Sequence, residues 1–285
     1  RLLALAGGSL ILLSLLNYKS SFLLLIIALN PLVWIYSGRA YSELLSVGLL
    51  VLAIEMQRNG YYKGLLAGLS ATIKYHSILF SGPYWFINWI QSLYYEKKLN
   101  FKNIYFISGI VCLVFFISFL IIYFNLYDVW VVPDKFKQTL ALSASNYLDN
   151  FFSYGFYLSA MFFVTVPFFL RSSSIRSNVF ALLISIPLAL INQDNGEMNF
   201  GSLDQLLGSQ LILAIKIIGF WNFLLCIECF MKQKNLRVMA LTILTYIIIL
   251  SATRPAQRYL LFIIPFWALL IVQSNMKIAD LFKWG

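Results

Sequence analysis

Apolar residues in this chain come in blocks. Runs at roughly 2–16, 21–37, 42–57, 62–73, 76–93, 105–124, 154–170, 179–192, 210–230, 238–252 and 260–274 carry almost no charge and are parted by shorter polar segments. Neither a two-residue alternation nor a narrow helical stripe accounts for blocks of this length. A helix of about 20 apolar residues crosses a hydrocarbon core about 30 Å thick. No water reaches a backbone amide there, so helix, which makes its bonds within the segment, is the form such blocks take. The pattern predicts an all-α, polytopic transmembrane bundle of about eleven spans, several short or broken, in a single unit over residues 1–285.

Composition agrees with the pattern. Charged residues are 11% of the chain, hydrophobic residues 61%, and mean hydropathy is +0.81; a soluble domain carries about 25% charged residues. The net charge of +10 raises nucleic acid as a partner, and its distribution excludes that reading. The basic residues fall in short clusters between apolar runs, as in cytoplasmic loops. With "YYEKKLNFKN", "RSSSIRSN", "KQKNLR" and the tail inside, simple alternation puts thirteen of the twenty-one Lys and Arg on the cytoplasmic side. Residues 125–155 and 193–209 then form the two larger non-cytoplasmic loops. Cys112, Cys226 and Cys229 lie in or beside apolar runs, and "CIEC" has no second ligand pair, so buried thiols account for them better than a metal or redox site.

Against this background a few polar residues stand out, all at the outer ends of runs. Asn30-Pro31 interrupts the second run, because proline removes a donor and bends a helix. Arg39 and Glu43, spaced i,i+4, share a helix face. They form either a local ion pair or the rim of an outward cavity. Lys74 and the only histidine, His76, mark a break in "ATIKYHSILF", and broken membrane helices line cavities. The alternative for His76 is a structural ring. Asp194, Glu197 and Asp204 make the 193–209 loop acidic, fit either for a cavity or for ordinary solvation. Arg254 and Arg258, again i,i+4, flank "PAQ" just before Tyr259. Guanidinium groups grip phosphate with two donors, and they also snorkel to headgroups. Pro265 is expected to loosen the last run.

These stretches resemble the GT-C superfamily of integral-membrane, polyprenyl-phosphate-sugar-dependent glycosyltransferases. "NPLVWIYSGRAYSELL" resembles that family's proline, aromatic and acidic span start. "GLLAGLSATIKYHSILF" is similar to its glycine-rich span ending in lysine and an aromatic, and "RPAQRYLLFIIPFWALL" to its late arginine-tyrosine-proline segment. The resemblance runs over most of the chain and rests on the order of these motifs. It implies transfer of a sugar from a polyprenyl-phosphate carrier to a glycan, lipid or protein acceptor on the non-cytoplasmic face. That face belongs to the cytoplasmic membrane of a bacterium or the endoplasmic reticulum of a eukaryote. It further implies a donor-phosphate cradle of Arg254, Arg258 and Lys74, and a cavity lined by Arg39, Glu43, His76, Tyr259, Asp194 and Glu197. A divalent cation, magnesium or manganese, is an accompanying cofactor with no assignable ligands.

One departure stands against the match. The family's catalytic acid lies in an outer loop between its first two spans, and no acid precedes "RLLALAGGSLILLSLL" here. The resemblance therefore implies an acid upstream of Arg1, a chain that starts after the family's first span, and no catalytic base among these residues. A polysaccharide polymerase or ligase would also use a large outer loop. A transporter or flippase for a lipid-linked sugar would use similar cations, but also repeated halves and charges at mid-bilayer.

Overall fold

The computed structural model describes residues 2–33, 42–56, 59–96, 100–128, 144–162, 174–192, 202–252 and 256–274, the side chains of 144–146 and 202–207 excepted. Its elements are helices: α1 (Leu2–Leu15) with a 3-10 turn (Leu16–Tyr18), α2 (Ser21–Ala28), α3 (Glu43–Glu55), α4 (Gly60–Ile73), α5 (His76–Glu96), α6 (Ile104–Tyr127), α7 (Ala144–Ala160), α8 (Ile175–Ile191), α9 (Ser202–Lys232), α10 (Lys234–Ser251), a 3-10 segment (Gln257–Phe262) and α11 (Ile264–Ser274). No strand occurs among the described residues.

Short polar residues between the blocks start the helices. Ser20, Asn59, Asn103 and Ser174 each accept a bond from a first-turn amide of α2, α4, α6 and α8, at 2.9–3.3 Å. These amides lack partners within the helix, which is why the cap stabilises it. Glycines set the closest helix approaches. A Cβ on Gly7 of α1 would lie 2.2 Å from the Leu44 carbonyl carbon in α3. Gly60, Gly64 and Gly68, one turn apart on α4, face α6, where a Cβ would meet Ile104 O at 2.6 Å, the Val111 side chain at 2.6 Å and that of Phe115 at 2.9 Å. Small residues at this spacing let two helix backbones close, the usual means of helix association in lipid.

The helices run back and forth, as their end contacts record. Lys74, just past α4, meets Glu43 at the start of α3. Lys63, early in α4, donates to the Ile54 carbonyl at the other end of α3 (3.2 Å). Asn103 before α6 donates to Ser92 late in α5 (2.9 Å). Tyr147 and Asn150 in α7 donate to the carbonyls of Ile248 and Ser251 at the close of α10 (3.0 and 3.1 Å). Gln233, ahead of α10, donates to the Ser274 carbonyl that ends α11 (3.4 Å). The bundle thus has a Glu43 end and a Glu55 end. Between them α11 is sheathed on all sides, with Phe266, Trp267 and Ala268 at 0% exposure.

Among the described residues three helices are long and apolar enough to cross a membrane: Ile104–Tyr127, Gly208–Lys232 and Lys234–Ser251. Shorter apolar helices are Leu2–Tyr18, Ile175–Ile191 and Ile264–Ser274. Every predicted run overlaps a helix, and three of these meet the length and apolarity of a span where about eleven are expected. On α6 only 11% of the apolar window is buried, leaving Ile110, Leu113, Val114, Ile117, Ile121 and Ile122 bare. A contiguous apolar surface of that kind is unstable in water and at home in hydrocarbon.

Two expected loops are shorter than their composition implies. Residues 144–155 of the 125–155 loop belong to α7, and residues 202–207 of the 193–209 loop are helical up to Gly208, whose φ of 70° breaks α9. Such a φ is open to glycine at no steric cost. The misreading of α7 has a physical cause. Its polar residues face the bundle and bond there: Asn150 donates to Ser251, and Ser153 accepts from the Asn192 amide at 3.0 Å.

Candidate functional site

The Glu43 end gathers residues far apart in sequence. Glu43 is the first residue of α3, where its negative charge also suits the helix N-terminus. Its Oε1 lies 3.1 Å from Lys74 Nζ, with the carboxylate side chain 3% exposed and the lysine 32%. Lys74 closes α4 in extended backbone (φ −147°, ψ 113°), which turns the chain so that His76 can open α5. A buried serine triplet holds this corner: Ser46 donates to the Ser70 carbonyl (2.9 Å), and the Ser70 hydroxyl lies 2.6 Å from both the Ser46 carbonyl and the Ser77 hydroxyl of α5, either of which can take its one proton.

The 3-10 segment brings the second half of the cluster. The His76 ring, 4% exposed, stacks on Tyr259 with centroids 3.9 Å apart and 25° between planes. The Tyr75 ring is tilted 30° to that of His76, with centroids 4.1 Å apart. The Arg258 guanidinium carbon sits 5.3 Å from the Tyr259 centroid. Lys74 and Arg258 both come near enough to His76 for their charges to act on its ring. Two tyrosines pin the segment: Tyr154 of α7 accepts from Ala256 N (3.2 Å), and Tyr246 of α10 donates to the Tyr259 carbonyl (3.3 Å). Leu260, Leu261 and Phe262 are fully buried behind it. Burial raises the Tyr75 hydroxyl pKa above the usual tyrosine range; Tyr259 adds to the shift and Arg258 opposes it. At neutral pH this phenol is therefore a neutral donor.

Among the described residues, Glu43 Oε2 and His76 Nε2 are buried without a hydrogen-bond partner. Buried polar atoms are nearly always bonded; several others in the bundle, Trp85 Nε1 and Trp267 Nε1 among them, share this condition among the described residues.

The structure thus brings together Glu43, Lys74, His76, Arg258 and Tyr259. Arg39, Arg254, Asp194 and Glu197 lie outside the described residues. Glu43, grouped in sequence with Arg39, pairs here with Lys74, thirty-one positions on. Pro265 sits in the first turn of α11, where its missing amide costs nothing, and the last run changes from 3-10 to α-helix just ahead of it. Sequence reasoning missed Tyr75, Tyr154 and Tyr246; the contacts of Tyr154 and Tyr246 with the 3-10 segment are what place them here. A divalent cation does not fit the described residues of this corner. They offer one carboxylate, already paired with a lysine, and no group of three His, Cys, Asp or Glu side chains occurs among the described residues.

No protein-family model, no curated protein and no solved structure matches the chain.

Proposed function

We propose that the chain is a multi-pass membrane glycosyltransferase of the GT-C kind. In this reading it moves a sugar from a polyprenyl-phosphate carrier to an acceptor at the Glu43 end, which faces the non-cytoplasmic side. The observation that carries the proposal is the meeting of Lys74 and Arg258 around the buried Glu43–His76 wall. An anionic headgroup fits two cations held at a helix break, while the apolar face of the bundle accommodates its tail.

In the proposed reaction the acceptor oxygen bonds to the anomeric carbon as the bond from that carbon to the phosphate oxygen breaks. The lipid phosphate leaves with the electron pair, and cations placed where that charge grows lower the barrier. Arg258 supplies a planar fork and Lys74 a point charge. Glu43, committed to Lys74, orients that lysine and is not the base; the proton shed by the acceptor hydroxyl passes to the departing lipid phosphate, which leaves as its monoanion. Tyr259 and His76 form an aromatic wall holding Arg258 in place.

The test is sugar transfer by the complete polypeptide in liposomes, with radiolabelled polyprenyl-phosphate glucose and polyprenyl-phosphate mannose as donors. A charge-assisted phosphate contact contributes about 1.5–3 kcal/mol, so Arg258→Ala is expected to slow transfer about ten- to a hundredfold. Arg258→Lys should recover part of the rate. Transfer at the parental rate by a normally inserted Arg258→Ala protein makes the arginine a snorkelling anchor and removes it from the site.

A further inference from the structure

At the opposite end of the bundle the Glu55 carboxylate closes α3 beside a cavity of about 280 Å³. Tyr18 donates to Glu55 Oε2, and the Gln273 amide supports the same phenol. The cavity is walled by Tyr84, Asn88 and Gln91 of α5, Tyr105 of α6 and Gln273 of α11, with Lys234 and Asn235 of α10 at its mouth. A second, wider cavity of about 660 Å³ between α1 and α3 also touches Glu55. None of these residues belongs to the cluster at the Glu43 end.

The lining decides what chemistry it takes. A metal ion is disfavoured, because Glu55 is the only carboxylate lining the cavity among the described residues, and the charge of Lys63 acts on it while Lys234 lines the cavity too. A free anion is disfavoured by Glu55 itself. What remains is an uncharged ligand that both donates and accepts. Hydroxyls donate to a carboxylate and to amide oxygens, and accept from amide nitrogens; Asn88, Gln91, Asn235 and Gln273 supply both kinds of partner. Tyrosine faces pack against the C–H side of a polyol ring. The volume lies just under the roughly 300 Å³ at which drug-sized pockets begin, which suits a single ring. We infer that this cavity is a second binding site, for a hydroxyl-rich, uncharged ligand the size of a monosaccharide. The inference is independent of the function proposed for the Glu43 end.

Saturation-transfer NMR on the protein in phospholipid nanodiscs free of glycolipid and sugar detergent provides the test. The probes are methyl β-D-glucopyranoside, methyl α-D-mannopyranoside, N-acetylglucosamine and myo-inositol, with ethanolamine phosphate as the charged comparison. At least one polyol should receive saturation at millimolar concentration. Asn88→Leu and Glu55→Gln should each weaken binding about tenfold; Gly8→Ala, where a Cβ meets open space, should leave it intact. Asn88→Leu keeps the proposal testable if loss of the Tyr18 partner unfolds the Glu55→Gln protein. The inference is overturned if no polyol binds a folded protein, if binding survives both substitutions, or if ethanolamine phosphate binds in place of the polyols.

Discussion

Lys74 Nζ and Glu43 Oε1 meet at 3.1 Å across the ends of two helices, the carboxylate buried and the ammonium half in the open. The asymmetry determines how each substitution acts. Removing the lysine leaves a charge in the bundle with no counterpart, whereas neutralising the glutamate leaves a cation that can turn toward solvent. Removing one member of a fully buried pair costs about 3–5 kcal/mol, and the exposure of Lys74 reduces this to about 1–3 kcal/mol. Lys74→Ala is expected to lower the thermal unfolding midpoint, and Glu43→Gln to lower it less. The double variant should be more stable than Lys74→Ala alone. A double variant that loses as much as the two single variants added together, by tryptophan-monitored unfolding in detergent, would show that the pair is not coupled.

His76 lies on Tyr259 at 3.9 Å, and the two hold the arginine segment against α5. Such ring pairs contribute about 0.5–1.5 kcal/mol beyond the area they bury. His76→Phe preserves the ring and removes Nε2, the atom with no partner among the described residues. Its expected outcome is an unfolding midpoint near the parental one with transfer reduced several-fold, while His76→Ala loses both. If His76→Phe transfers sugar at the parental rate, the ring nitrogen takes no part, and the histidine serves only as a packing surface.

The blocks of apolar sequence made the helices legible, because a block can satisfy its backbone only one way in hydrocarbon. The apolar runs left the helix ends approximate, and the caps at Asn59, Asn103 and Ser174 fix them. They were not legible at α7, where Asn150 and Ser153 look like loop residues until their partners on α10 and in Asn192 appear. In the candidate site each of Glu43, Lys74, His76 and Arg258 could be placed at a helix end from its polarity alone. Partners could not. The i,i+4 spacing of Arg39 and Glu43 falls partly outside the described residues, while the contact of Lys74 with Glu43 arises only through the antiparallel turn of α3 and α4. The Tyr18–Glu55 contact was invisible for the same reason: its members are thirty-seven positions apart and sit at unremarked turns.

The glycine ladder on α4 gives a prediction about assembly. Gly60, Gly64 and Gly68 stack one above another against α6, and a Cβ on Gly64 would lie 2.7 Å from the Ser108 carbonyl oxygen and 2.6 Å from the Val111 side chain. Backbone cannot yield as the tip of a long side chain can, so α6 would have to move away. Gly64→Val is expected to cost about 1–3 kcal/mol or more. Gly8, which has open space at its Cβ position, makes the matching control. Gly8→Ala should leave the unfolding midpoint within a degree or two, since surface changes fall within about 0.5 kcal/mol. Similar midpoints for the two variants would remove close packing of α4 on α6 as a source of stability.

Helix α6 offers the cleanest test of orientation. Its 24 residues run from Ile104, near the Glu55 end, to Tyr127, near the Glu43 end, a rise of about 36 Å and enough to cross a bilayer. Lys102 just precedes it, and Lys232, Lys234 and Arg237 cluster around the start of α10 at the same end. Cytoplasmic loops collect lysine and arginine, so that end is expected inside and Tyr127 outside. In cells expressing the chain without its three native cysteines, a membrane-impermeant maleimide should label Tyr127→Cys. It should leave Lys102→Cys and Lys234→Cys unlabelled until the cells are opened. All three positions are exposed on the protein, so a silent site reports the membrane and not burial. The reverse pattern would put the Glu43–Lys74 cluster on the cytoplasmic side and exclude a non-cytoplasmic sugar transfer there. Labelling of both ends of α6 in intact cells would mean that this helix, the most apolar and least buried of the three candidates, does not cross.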